Sequence, residues 1–177
     1  MIFSPDLLSR AKEIRLLLLD VDGVLTDGSL LYSGDGVESK VFNTQDGFGL
    51  TLLREIGIET GVITARESVV VARRISELNI KYARQGARDK MAAFAEILQE
   101  SGFSEKQVAY MGDDWLDLNL LCRVGLAVAP ANAVDEVKDV VHFITPHSGG
   151  QGAVRNLCDL LVEARGVREL LLARYLH

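Results

Sequence analysis

A chain of 177 residues fits one domain, 1–177, and can bury a core without disulfides or structural metals. Its 48% hydrophobic content suits such a core, while a formal net charge of −6 excludes the broad basic surface on which general nucleic-acid and membrane-surface binders rely. A small anionic substrate stays compatible, because anion sites are built locally from a lysine, helix amino ends or a metal ion. Cys122 and Cys158 lie in apolar helical patterns without metal-ligand spacing, so both are predicted to be reduced core thiols. Asp6, Arg10, Lys12, Glu13 and Arg15 interrupt the first fifteen residues, and no later apolar run is long enough for export or spanning. The expectation is a cytoplasmic protein with no membrane and no nucleic-acid partner.

In chain order, Ser4 and Pro5 read as the cap and first turn of a helix reaching about Glu13. Leu16 to Leu19 form a short, wholly apolar run that suits a strand buried on both faces of a parallel sheet. A hairpin follows over about 28–42, turning at Ser33-Gly34-Asp35-Gly36. Leu30, Tyr32, Val41 and Phe42 make it too apolar for a solvated flap, which predicts that something covers it. Next come a helix over 46–56, a strand over 59–63, a helix over 67–78, a short strand over 80–82 and a helix over 89–101 stopped by Gly102. A strand over 108–111, a helix to Cys122, a strand over 125–129, a helical turn near Asp135 and a strand over 141–144 complete the alternation. A glycine-broken loop over 148–152 leads to a helix over 153–165 and a tail, so that 148–177 forms a C-terminal extension. Strand and helix alternate throughout, which predicts an α/β fold with a doubly wound, mostly parallel sheet.

Chemistry-bearing residues recur just past the predicted strands. Asp20-Val21-Asp22-Gly23 follows the leucine run, Thr64 ends the 59–63 run, Lys90 follows a loop, and Gly112-Asp113-Asp114 with Asp117 ends the 108–111 run. If the strands are parallel, all four sets share one edge of the sheet, where ligands of open α/β folds bind. Taken singly, the Asp-Gly pair is an ordinary turn, Thr64 a strand-end hydroxyl and Lys90 a solvated helix lysine; their order carries the inference. That order, D-x-D-G-V, T, K and G-D-D-x-x-D, resembles the haloacid dehalogenase superfamily of aspartate-nucleophile phosphatases.

The resemblance implies Asp20 as the nucleophile of an aspartyl-phosphate and Asp22 as general acid and base. It implies a magnesium cofactor held by Asp20, the Asp22 carbonyl and Asp113, with Thr64 and Lys90 on the phosphoryl oxygens and Asp114 and Asp117 behind them as orienting acids. Two anions approaching to 4 Å repel by roughly 4 kcal/mol per charge pair at an effective dielectric of 20, so cations at the site are a physical requirement.

The intervals 24–62 and 65–89 leave no room for a cap domain, so the site needs a large substrate or another subunit to cover it. Nearly end to end, the chain resembles the capless, tetrameric 3-deoxy-D-manno-octulosonate 8-phosphate phosphatases, through the Asp-Gly-Val-Leu-Thr-Asp-Gly start, Asn43-Thr44-Gln45-Asp46-Gly47, Ile63-Thr64-Ala65-Arg66 and Gly149-Gly150-Gln151-Gly152-Ala153-Val154-Arg155. That family implies a homotetramer with hairpins and C-terminal tail at subunit contacts, and a small phosphorylated sugar acid as substrate. Its substrate contacts fall on Asp22, Asn43, Thr44, Gln45, Asp46, Gly47, Arg66, Arg74 and Lys90. Gln45 and Gln151 stand where the family often has arginine, which removes two cations and opens the alternative of another sugar-acid phosphate, such as a nine-carbon ulosonate ester. A receiver domain places adjacent acids after its first strand and its acceptor on a later one, unlike D-x-D-G here. A weakly active tetramerisation domain of the same fold is the other competitor.

Overall fold

The computed structural model describes residues 3–176. Helix α1 (Pro5–Lys12) opens on Ser4, whose hydroxyl accepts from the Leu7 amide at 3.3 Å, with Pro5 in the first turn. Strand β1 (Leu16–Leu19) has all four residues buried, as expected for a strand covered on both faces. The main sheet adds β4 (Glu59–Ile63), β5 (Tyr82–Arg84), β6 (Val108–Met111), β7 (Leu126–Ala129) and β8 (Phe143–Ile144), in the order β5-β4-β1-β6-β7-β8 with every pair parallel. The hairpin strands β2 (Leu31–Tyr32) and β3 (Glu38–Ser39) form a separate antiparallel pair. This is the expected doubly wound α/β fold with a hairpin insertion.

Side chains of β1 point alternately to opposite faces. Leu17 and Leu19 join a core with α1, α2 (Thr44–Glu55) and α7 (Ala153–Ala164), where Leu50, Leu53, Leu157 and Leu161 are buried. Leu16 and Leu18 join a second core under α4 (Lys90–Ser101) and α5 (Leu118–Leu121), with Phe94, Ile97 and Leu120. Leu19 lies level with Val62 of β4 and Met111 of β6. The chains leaving these three strands therefore emerge together at one edge.

Several expectations shift in detail. The strand expected over 80–82 is β5, displaced to Tyr82–Arg84, because Ile80 is spent on stopping α3 (Val69–Glu77). Asn79 turns left-handed at φ 52°, its amide bonds the Ser76 carbonyl and the Ile80 amide bonds the Ile75 carbonyl, a paired helix stop. Cys122 is exposed rather than a core thiol: α5 is a single turn whose buried positions are Leu120 and Leu121, and Cys122 caps it facing out. Cys158 is buried as expected. Beyond the brief helix α6 (Asp135–Lys138), the tail forms α8 (Arg168–Ala173) and folds back on its own chain, with Tyr175 edge-on to Phe48 at 5.4 Å and Arg174 paired with Glu55 at 3.2 Å.

Helix α2 begins at Thr44, two residues before the expected start at 46, because the Asn43 side chain accepts from the Gln45 and Asp46 amides. Asp46 then reaches across to α7, whose own cap, Gly152, has no side chain to offer. Its carboxylate accepts from the Gly152 amide at 3.4 Å and the Arg155 amide at 2.7 Å. The side chain is buried and serves as a cap supplied from another helix. Asp46→Ala is expected to lower stability by about 2 kcal/mol, the upper range for losing a helix cap, read as a lower urea midpoint at unchanged slope.

Candidate active site

Asp20 continues β1, its amide donating to the Met111 carbonyl at 3.0 Å. The chain then curls tightly: the amides of Val24, Leu25 and Thr26 converge on the Val21 carbonyl, and the Thr26 hydroxyl accepts from the amides of Gly23 and Gly28. Gly23 sits at φ 86°, and a Cβ there would lie 1.9 Å from Asp113 Oδ2. Only glycine allows this curl and so close an approach of the two loops. Asn132 braces the turn from behind, donating to the Gly23 carbonyl at 3.0 Å and accepting from the Gly149 amide at 2.6 Å. The glycine-rich loop over 148–152 thus supports the acidic loop of its own chain.

Lys90, at the first turn of α4, is buried and bridges two acids, Asp20 Oδ1 at 3.0 Å and Asp117 Oδ1 at 2.7 Å. Asp117 is fully occupied: Tyr110 donates its hydroxyl to Oδ1 at 2.5 Å, and Oδ2 accepts from the amides of Asp113 and Asp114 at 3.0 and 3.3 Å. It holds Lys90 and the Asp113 loop in place. Asp114 accepts from the Trp115 amide at 2.7 Å and starts the helical turn that carries Asp117. Sequence reasoning missed Tyr110, since an apolar strand pattern hides a hydroxyl that only the fold aims at Asp117.

Oxygens of Asp20, Asp113 and Asp117 lie within 4.8 Å of one another. Burial, offset in part by Lys90, raises the Asp20 pKa to about 6. Burial, with the charges of Asp20, Asp117 and Asp114, raises Asp113 to about 7. Lys90 titrates above its ordinary value: burial works against its charge, but Asp20 and Asp117 outweigh it. Three acids facing one lysine leave a deficit of positive charge, and among the described residues the Asp113 carboxylate has no hydrogen-bond donor. With Asp117 occupied, Asp20 and Asp113 are the oxygen donors left for a hard divalent cation, and the residues present fit magnesium.

A cleft of about 270 Å³ opens over this cluster, lined by Asp20, Asp22, Thr64, Arg66, Lys90 and Asp113 among others. Thr64 is buried at the end of β4, and its hydroxyl accepts from the Arg66 amide at 3.4 Å. Asp22 faces the hairpin, with Lys40 Nζ in direct contact and Arg66 Nε at 3.6 Å. Sequence reasoning missed Lys40 as well, a lone lysine just past β3 in the hairpin. The other expected substrate contacts lie outside the cleft of this chain. Asn43, Thr44 and Gln45 form the start of α2, Asp46 caps α7, and Gly47 packs against Arg74, where a Cβ would meet Nη2 at 2.5 Å. Arg74 lies over the Phe42 ring at 5.7 Å and pairs with Glu77 at 3.3 Å.

An acidic loop after the central strand, a hydroxyl, a lysine and a second acidic loop on one sheet edge define a haloacid dehalogenase-like hydrolase, and residues 84–157 match the model of that family. Over 163 residues the chain is 40% identical to the 3-deoxy-D-manno-octulosonate 8-phosphate phosphatase of Escherichia coli K12, covering 92% of this chain and 87% of that one. The Moraxella catarrhalis phosphatase of that name, solved with magnesium, phosphate and the sugar acid KDO, superposes with a TM-score of 0.95 at 36% identity over 98% of this chain and 99% of that one. The Yersinia pestis enzyme superposes with a TM-score of 0.91 at 39% identity, covering 93% and 89%. The chain belongs to the 3-deoxy-D-manno-octulosonate 8-phosphate phosphatase family.

Proposed function

We propose that this protein is a magnesium-dependent phosphatase that hydrolyses 3-deoxy-D-manno-octulosonate 8-phosphate to the free sugar acid and phosphate, in the supply of lipopolysaccharide precursors. The observation that carries the reading is the convergence of Asp20, Asp113 and Lys90 at one strand edge in a chain of this family. Asp20 attacks phosphorus, its Oδ–P bond forming as the ester P–O bond breaks, and the departing sugar oxygen takes a proton from Asp22. Water then attacks the aspartyl-phosphate, giving its proton to Asp22, and Asp20 is regenerated with release of phosphate. Lys90 and Thr64 hold phosphoryl oxygens, which places positive charge and a hydrogen bond where negative charge gathers. When bound by Asp20, Asp113 and the Asp22 carbonyl, magnesium supplies further neutralisation of that charge. Arg66 suits the sugar-acid carboxylate, for which a guanidinium makes a forked pair of bonds.

The hairpin leaves Leu31 61% and Val41 77% exposed, a surface that fits burial between copies of the chain in a homotetramer. Asn43, Thr44, Gln45, Asp46, Gly47 and Arg74, outside this chain's own cleft, then belong to the substrate boundary only if assembly brings that surface to a neighbouring site. Among the described residues no helix is long and apolar enough to cross a membrane, in keeping with a cytoplasmic enzyme.

A panel of phosphorylated sugar acids and neutral sugar phosphates, assayed for phosphate release with and without Mg2+, tests the reading. The octulosonate ester is expected to lead by at least ~10-fold in kcat/KM over neutral sugar phosphates, the scale of one charge-assisted contact. A nine-carbon ulosonate 9-phosphate in the lead would assign the missing cations at Gln45 and Gln151 to a changed substrate. Equal rates throughout would reject the specificity while sparing the chemistry.

A further inference from the structure

On the hairpin side of the cleft, four charged side chains close a ring of alternating sign. Lys40 Nζ contacts Asp22 Oδ1, and it lies 3.4 Å from Glu38 Oε1. Glu38 Oε1 in turn takes Arg66 Nη2 at 3.0 Å, and Arg66 Nε returns to Asp22 Oδ2 at 3.6 Å. Two acids and two cations make the ring neutral overall. Glu38 is anchored further by the Ser68 hydroxyl, and Arg66 by the Tyr32 hydroxyl at 2.6 Å. The hairpin around it is exposed, yet the Lys40 side chain is 1% exposed. A lysine so enclosed on an otherwise solvated element is there for its partners, since burying an ammonium without them is costly.

Resting on the phosphatase reading of Asp22, we infer that Lys40, held by Glu38, is a positioning residue that aims the Asp22 carboxyl at the leaving oxygen. Proton delivery demands heavy-atom reach of about 2.6–3.2 Å. Without Lys40, Asp22 keeps only the 3.6 Å contact to Arg66, itself a half-exposed side chain, and is free to swing off line. The hairpin thereby carries apolar side chains on its outer face and the support for the acid on its inner one. A mere staple fastening the hairpin would show the same contacts, so the test must separate the two.

Phenyl phosphates with ring substituents that take the leaving-group pKa from about 7 to about 10 do so, because only the poorer leaving groups need a proton. None carries a carboxylate, so altered substrate contacts at Arg66 do not enter. Lys40→Met is expected to lower kcat/KM for phenyl phosphate by ~10²-fold, and for p-nitrophenyl phosphate by less than ~3-fold, as loss of general-acid assistance predicts. Asp22→Asn should show the same steepening more strongly, and Lys40→Arg should restore most of the wild-type slope. Glu38→Gln, which loosens Lys40 without removing it, should steepen the series by ~10-fold and serves if Lys40→Met fails to fold. Equal losses across the series, or none, overturn the inference and leave a structural staple. Absence of phosphate release from the octulosonate ester by the unaltered enzyme overturns the phosphatase reading and this assignment together, whereas an unchanged slope in Asp22→Asn removes Asp22 as the acid and overturns this assignment alone.

Discussion

Asp20→Asn is expected to abolish turnover, with a loss on the order of 10⁴-fold or more, as removal of a covalent nucleophile does elsewhere. The amide matches the carboxylate in shape but has no charge with which to attack phosphorus. Folding should survive, because Lys90 keeps its 2.7 Å pair with Asp117 and its contact with the Tyr110 hydroxyl at 3.5 Å. Mass spectrometry of acid-quenched enzyme should find phosphate on the Asp20 peptide in the wild type and none in the variant. Residual activity within tenfold of wild type would remove Asp20 from the covalent role.

The architecture and the acidic edge were legible in the sequence because they depend on short-range signals. Four leucines ending in acid suit a strand covered on both faces, which β1 is, and parallel connection then dictates where Asp20, Thr64 and Asp113 emerge. What stayed hidden depends on long-range packing. Lys40 reads as a surface lysine until the hairpin folds over Asp22, 18 residues before it. Asp46 lies in a motif whose resemblance implies substrate contact, while its partners, the Gly152 and Arg155 amides, are more than a hundred residues away. Cys122 sits in an apolar pattern, but a one-turn helix has too little length for its periodicity to fix a facing. The β5 displacement arises likewise from a helix stop that only Asn79, at positive φ, reveals.

Asp113→Asn is expected to destroy activity while making the metal-free protein more stable at alkaline pH. Asp20 and Asp113 bind protons more tightly folded than unfolded, with pKa values of about 6 and about 7 against 3.8. Their contribution to stability is therefore fully present below about pH 4 and is lost as pH rises through 6 and 7, when both ionise against each other. A shift of one unit corresponds to about 1.4 kcal/mol, and the two acids share part of one repulsion, so the loss relieved by a neutral amide is on the order of 2 to 4 kcal/mol. For a chain of this size that is a rise in Tm of roughly 5–10 °C at pH 8 in chelator. Below about pH 4 the two proteins should melt alike, since Asp113 is then protonated and neutral in the folded and the unfolded chain. Mg2+ should reverse the order at pH 8, because an ion that binds the ionised pair stabilises the wild type by mass action and finds one donor fewer in the variant. Thermal unfolding from pH 4 to 9, with and without Mg2+, measures all of this. A variant that melts lower than the wild type at pH 8 in chelator would mean that the carboxylates are not in conflict, and with that the physical need for a cation between them would disappear.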